Sequence, residues 1–103
     1  MIHVLAIITT KPGMRDSVLA AFRANIPAVI AEDGCIEYGP AIDAEGLGGF
    51  QTQFGADTFV VIEKWRDVAA LKAHAAAPHM AAYAAKVKDM LAGRVIHVLS
   101  PAG

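Results

Sequence analysis

Charge of one sign never accumulates in this sequence. Nine Lys and Arg face ten Asp and Glu, for a formal net charge of -1, and no basic stripe runs along the chain. The electrostatic basis for gripping a phosphate backbone is missing, so nucleic acid is excluded as a partner. Cysteine is equally scarce: Cys35 is the one thiol, which rules out an internal disulfide and fits a reducing cytoplasm. No apolar run approaches the roughly 20 residues of a membrane-crossing helix, and Met1-Ile2-His3-Val4 lacks the basic start of a signal peptide. A soluble, unprocessed, cytoplasmic chain with no membrane partner is expected. The glycines between residues 46 and 55 do not spell a phosphate-binding fingerprint and no helix follows them, which disfavours a nucleotide. No internal repeat or low-complexity tract is present.

What is abundant is apolar. Hydrophobic residues make up 55% of the chain and mean hydropathy is +0.44, above the roughly 45–50% apolar content of ordinary soluble proteins. A chain of 103 residues is expected to form one domain over residues 1–103 and to be only modestly stable alone. Part of the apolar excess is therefore assigned to a subunit interface.

The pattern along the chain predicts alternating strands and helices. Ile2 to Thr10 reads as a strand, stopped by Lys11-Pro12-Gly13. Met14 to Asp33 has helical spacing, with Val18, Phe22, Val29 and Ile30 on one side, Asp16 in the first turn and Gly34 as the stop. Pro27 should kink it. Cys35 to Ile42 and Thr58 to Trp65 read as strands, the latter with Phe59, Val61, Glu63 and Trp65 on one face. Asp67 suits the cap of a short helix through His74, and Pro78 the first residue of another, carrying Met80, Tyr83, Ala84, Val87 and Leu91 inward. Gly93 is expected to close that helix and Arg94 to Leu99 to be the last strand. Between the second and third strands, residues 43–57 are too long for an ordinary hairpin loop. Phe50, Thr52 and Phe54 alternate with Gln51 and Gln53, which predicts an extended hairpin arm over a partner subunit or a pocket.

The order β-α-β-β-α-β defines an α+β, ferredoxin-like fold with a four-stranded antiparallel sheet and helices on one face. The other face is also apolar, and packing two sheets together in a homodimer covers it, giving a barrel-like interface.

Several segments, in order, resemble the antibiotic biosynthesis monooxygenase family of the dimeric α+β barrel superfamily. They are Thr9-Thr10-Lys11-Pro12-Gly13, Glu32-Asp33-Gly34-Cys35-Ile36-Glu37-Tyr38, Glu63-Lys64-Trp65, Ala70-Leu71-Lys72-Ala73-His74 and Pro78-His79-Met80. The resemblance implies a small homodimer with an apolar pocket between sheet and helices. The family contains metal-free and flavin-free oxidants of phenols or quinols, haem-degrading enzymes and an isomerase of a sugar phosphate. The haem-degrading pattern is not met: the first strand has no Asn, and no Trp follows Trp65. Some polyketide-oxidising members have an Asn four residues before the strand Trp, where this chain has Val61.

His74 stands among alanines near the end of a short helix, and an imidazole is the natural general base at neutral pH. A structural histidine bonded to a backbone carbonyl is the alternative. Glu63, on the same strand face as Trp65, is expected to be a buried carboxylate needing a partner, and Trp65 an aromatic wall, with core packing as its alternative. Tyr38 and Tyr83 suit hydrogen bonds to a phenolic ligand, and Phe22 and Met80 suit its ring, although all four also fit ordinary packing. His79, at a helix start, suits orienting a substrate oxygen, with a surface or interface role as the alternative. His74 and His79 lie about 140° apart on a continuous helix, with no carboxylate or thiol at recognised ligand spacing, so no metal is expected. His3 and His97 are read as interface or edge residues.

The reading that follows is a cofactor-independent monooxygenase acting on a small aromatic phenol or quinol with O2. His74 and Glu63 would be catalytic, and Trp65, Tyr38, His79, Phe22, Met80 and Tyr83 would bind substrate, with no cofactor. The rivals are an isomerase of a small carbonyl compound and a non-catalytic ligand-binding or stress-associated dimer.

Overall fold

The computed structural model describes residues 1–103. Four strands, β1 (Ile2–Thr10), β2 (Cys35–Ala41), β3 (Thr58–Trp65) and β4 (Leu91–Leu99), alternate with α1 (Arg15–Ile30), α2 (Val68–Ala75) and α3 (Pro78–Val87). The sheet is antiparallel throughout, in the order β2-β3-β1-β4, which is the expected ferredoxin-like arrangement.

Burial alternates along the two central strands because successive side chains leave a strand on opposite faces. Val4, Ala6 and Ile8 on β1 and Phe59, Val61, Glu63 and Trp65 on β3 turn towards the helices and are buried. Val18, Leu19, Ala21, Phe22 and Val29 of α1 close over them. Pro27 lies inside α1, and its missing N–H leaves one carbonyl of the preceding turn without its helical partner.

Local chemistry sets the helix boundaries near the site. Asp67 caps α2 by accepting the Ala70 N–H at 2.8 Å, and Pro78 opens α3, where its missing N–H removes no helical bond. Gly34 takes φ +86°, and a Cβ there would lie 2.6 Å from the Ala70 Cβ. Only glycine turns the chain from α1 into β2 this close to α2.

Two expectations require correction. Gly93 does not end α3. That helix stops at Val87, a 3-10 turn spans Lys88–Met90, and Gly93 lies within β4 opposite Thr9. Residues 43–57 form no hairpin arm: the segment contains a single 3-10 turn, Gly48–Phe50. The Asp43 carboxylate closes the loop by accepting the N–H groups of Phe54 and Gly55 at 2.9 and 2.8 Å, and those bonds hold its carboxyl below the usual range. The alternation of Phe50, Thr52 and Phe54 finds no partner strand, so it buries nothing, and Phe50 is 91% exposed.

The sheet's outer face is apolar and uncovered in the single chain. Leu5, Ile62, Val95 and Leu99 all project from it and are exposed. No helix is long and apolar enough to cross a membrane.

Candidate active site

The helices cover β3 and β1 but leave β4 open, so a cavity of about 670 Å³ lies between sheet and helices. Of the 22 residues lining it, 18 are hydrophobic, which makes each polar side chain in the wall conspicuous. Val4, Ala6 and Ile8 form the floor, Phe22 and Tyr38 one end, and Leu71, Met80 and Tyr83 the roof.

At one end a set of polar groups is joined across three helices and two strands. His74, near the end of α2, is 5% exposed. Its Nδ1–H donates to Glu32 Oε2 at 2.8 Å, because a carboxylate only accepts. Nε2 of the neutral ring is then left as an acceptor, 4.0 Å from Glu63 Oε1. The imidazole is held on its faces and edges by aromatic rings. The Trp65 ring lies against it with centroids 4.6 Å apart, and Tyr38 meets it edge-on at 5.5 Å.

Glu63 is 7% exposed, and its Oε1 accepts the Trp65 indole N–H at 2.8 Å. Burial pushes its carboxyl above the ordinary carboxylate value, against the opposing pull of that indole bond and of His74. The Tyr38 phenol is raised far above its usual range by burial, and Tyr83 is pushed up to about 12 for the same reason. Both therefore keep their protons at neutral pH. Burial, with Glu32 and Glu63 nearby, also raises the Cys35 thiol, making it a poor nucleophile.

The structure brings His74, Glu63, Tyr38, Phe22, Met80 and Tyr83 to the cavity wall. Trp65 and His79 are placed differently from the expectation. Trp65 is completely buried behind the wall, because its indole is turned to satisfy Glu63 and to back His74. His79 also stands behind the wall, where its Nδ1 accepts from the Asn25 amide at 3.2 Å. Its protonated Nε2 lies 3.2 Å from Glu32 Oε2. That contact brings the N–H near the carboxylate but is not aligned as a hydrogen bond, so this buried nitrogen has no hydrogen-bond partner.

Glu32 is the residue that the sequence reading passed over. It follows the C-terminal end of α1, where the negative end of the helix dipole repels a carboxylate. An acid at that point needs a cationic or N–H partner, and His74 supplies it. No group of three or more His, Cys, Asp and Glu is arranged to hold a metal ion.

The fold and this wall define a small α+β protein with an imidazole–carboxylate pair at an apolar cavity. Residues 1–86 match the model of the antibiotic biosynthesis monooxygenase family, and the chain belongs to that family. Over 103 residues, 98% of each chain, it is 39% identical to "Probable quinol monooxygenase YgiN" of Escherichia coli K12. Among solved structures it is similar to PA3566 from Pseudomonas aeruginosa, at 26% identity and TM-score 0.81 over 99% of this chain and 94% of that one. It is also similar to Rv0793 from Mycobacterium tuberculosis, at 29% identity and TM-score 0.80, covering 99% and 95%.

Proposed function

We propose that the protein is a cofactor-independent monooxygenase that oxidises a small phenol or quinol with O2 in the cavity between sheet and helices. The observation that carries this reading is the Glu32–His74 hydrogen bond, which leaves an imidazole acceptor beside Glu63 in an otherwise apolar wall. Family membership and a relative named as a quinol monooxygenase support the reaction class.

A substrate oxygen about 2.8 Å from both His74 Nε2 and Glu63 Oε1 forms an open triangle with them, because those two atoms are 4.0 Å apart. His74 takes the phenolic proton, and the charge developing on its ring is met by the Glu32 carboxylate at 2.8 Å. The electron-rich phenolate passes one electron to triplet O2, and the resulting radical pair joins to form a carbon–oxygen bond. Glu63, whose raised carboxyl holds a proton readily, returns a proton to the outer oxygen. For a quinol, one O2 and one quinol give a hydroxyquinone and one water. The substrate supplies all four electrons, so the protein contributes a base, a proton donor and a dry cavity.

The homodimer belongs to this reading. Two copies pack through the outer sheet face, where Leu5, Ile62 and Val95 would otherwise remain in water. Ile62→Lys is expected to convert the dimer to monomers in sedimentation velocity, and a wild-type protein that is already monomeric removes this element.

The activity test is O2 uptake by metal-stripped protein with a panel of quinols. The expected result is one O2 per quinol, and a loss of about 100-fold or more in His74→Ala. Turnover no faster than the buffer background across the panel overturns the proposal. Turnover of a small carbonyl compound without O2 would replace it with an isomerase.

A further inference from the structure

The cavity has a second polar end. Besides Glu63 and His74, its only charged lining residues are Lys88 and Arg94, and neither takes part in an ion pair. Arg94 sits opposite Ile8 on β1, and Ile8 is buried and lines the floor. Arg94 therefore occupies a cavity-facing position of β4, in the same row as Ile96 and Val98, which also line the cavity. Lys88 comes from the turn after α3. That turn is tied to the same end of β1 by the Lys11 N–H donating to the Met90 carbonyl at 2.9 Å.

Register sets the distance between the two ends. Glu63 pairs with Val4 and Arg94 with Ile8, on opposite sides of β1. Four residues along a strand are about 13 Å and two strand spacings about 10 Å, so the two Cα atoms stand about 16 Å apart. The volume of about 670 Å³ lies in the range that holds a drug-sized ligand of roughly 300–1,000 Å³. A lone phenol leaves most of that space empty.

We infer that Arg94 and Lys88 form an anion subsite, and that the preferred substrate is an elongated phenol or quinol carrying a carboxylate at the end remote from its reacting hydroxyl. The inference rests on the proposed function for the phenolic end and adds the feature that orients the molecule. An apolar middle accepts rings or a chain in either direction, whereas a guanidinium at one end and an imidazole at the other admit one direction. Arg94 suits the task because its planar head binds both oxygens of a carboxylate. Both cations are exposed at the β4 side, so the anion remains near water and its desolvation is slight.

The test is a binding measurement that needs no turnover. Trp65 is the single tryptophan and lies against His74, so its fluorescence reports occupancy of the phenolic end. A series of p-hydroxyphenylalkanoates of increasing chain length is titrated against the matching methyl esters. The carboxylates bind about tenfold more tightly than the esters once the chain spans the cavity, and the ratio falls as salt rises. In Arg94→Gln combined with Lys88→Gln, a change confined to exposed side chains, the ratio collapses to about one. Esters binding as tightly as carboxylates at every length overturn the subsite, as does a ratio that survives the double substitution. A carboxylate preference without any O2 uptake would leave the subsite standing and remove the monooxygenase reading. Oxidation of neutral quinols with no carboxylate preference would do the reverse.

Discussion

Replacing Glu32 by Gln separates a positioning role from simple packing, because the side chain keeps its shape and loses its charge. In the native arrangement Oε2 receives the His74 Nδ1–H at 2.8 Å and lies 3.2 Å from His79 Nε2. A Gln head presents one acceptor and one donor. If its amide nitrogen faces Nδ1, the imidazole must carry its proton on Nε2, which removes the acceptor beside Glu63. If its oxygen faces Nδ1, the tautomer survives but the charge assistance is gone. Hydrogen bonds to charged groups contribute about 1.5–3 kcal/mol, so kcat for O2 uptake is expected to fall roughly 10- to 150-fold. KM should barely change, because Glu32 does not line the cavity. The side chains are only 6% and 17% exposed, so stability also drops, by about 1 kcal/mol or about 4–8 °C in Tm for a chain of this size. Nitrogen-detected NMR of the His74 ring supplies the independent readout: Nδ1–H in the native protein, and a shifted or mixed tautomer in the variant. A kcat within threefold of native, or a loss that falls wholly on KM, refutes the positioning role.

Three further substitutions probe the site and the packing that supports it. Burial raises the Glu63 carboxyl above its ordinary value of 4.5, so the folded state holds this proton more tightly than the unfolded chain. Its contribution is fully present below that value and is lost as pH rises through the folded one. Glu63→Gln should therefore gain stability relative to native as pH rises from about 4.5, and a calorimetric Tm difference independent of pH counts against the assignment. Trp65→Phe leaves Glu63 Oε1 without its 2.8 Å donor and opens space behind His74, and about 2–4 kcal/mol of unfolding free energy should be lost in urea titration. Gly34→Ala combines a left-handed φ of +86° with a Cβ contact of 2.6 Å to Ala70, so a loss of about 2–4 kcal/mol is expected by the same titration; a loss under 1 kcal/mol would mean that α2 gives way freely.

Elements governed by near neighbours were legible in the sequence. β1 and β3 span Ile2–Thr10 and Thr58–Trp65 as the alternation and flanking turn residues predicted, and Asp67 and Pro78 mark the helix starts because capping is local chemistry. What depended on distant partners was not legible. β4 begins at Leu91 because it pairs with Thr10 past an irregularity at Thr9/Thr10, which overrides Gly93 as a helix stop. The loop over residues 43–57 has strand-like alternation but no strand beside it, and Asp43 supplies bonds that a ladder would have made. Of the site, the sequence indicated His74 and Glu63 by their isolation among apolar residues. It put Trp65 on the same face as Glu63 but did not indicate that the indole N–H bonds the Glu63 carboxylate behind the cavity wall, because that depends on where Glu63 finds a donor.

The polar wall is difficult to explain as a device for stability. Trp65 and Glu63 satisfy one another, so replacing both with apolar side chains of similar volume would leave neither a donor nor an acceptor stranded between them. Such exchanges of buried polar pairs are often neutral or stabilising. His74 and Glu32 likewise satisfy each other at 2.8 Å, and a core this rich in Val, Ala and Phe offers apolar alternatives at each position. The arrangement does, however, keep a carboxyl with raised proton affinity and an imidazole acceptor 4.0 Å apart at the edge of an apolar cavity. Two titratable groups with different environments, both facing the same empty space, suit proton transfer to and from a bound molecule. The desolvation of Glu63 and the sequestering of the Trp65 N–H are costs to folding that become intelligible when the wall is the reacting surface.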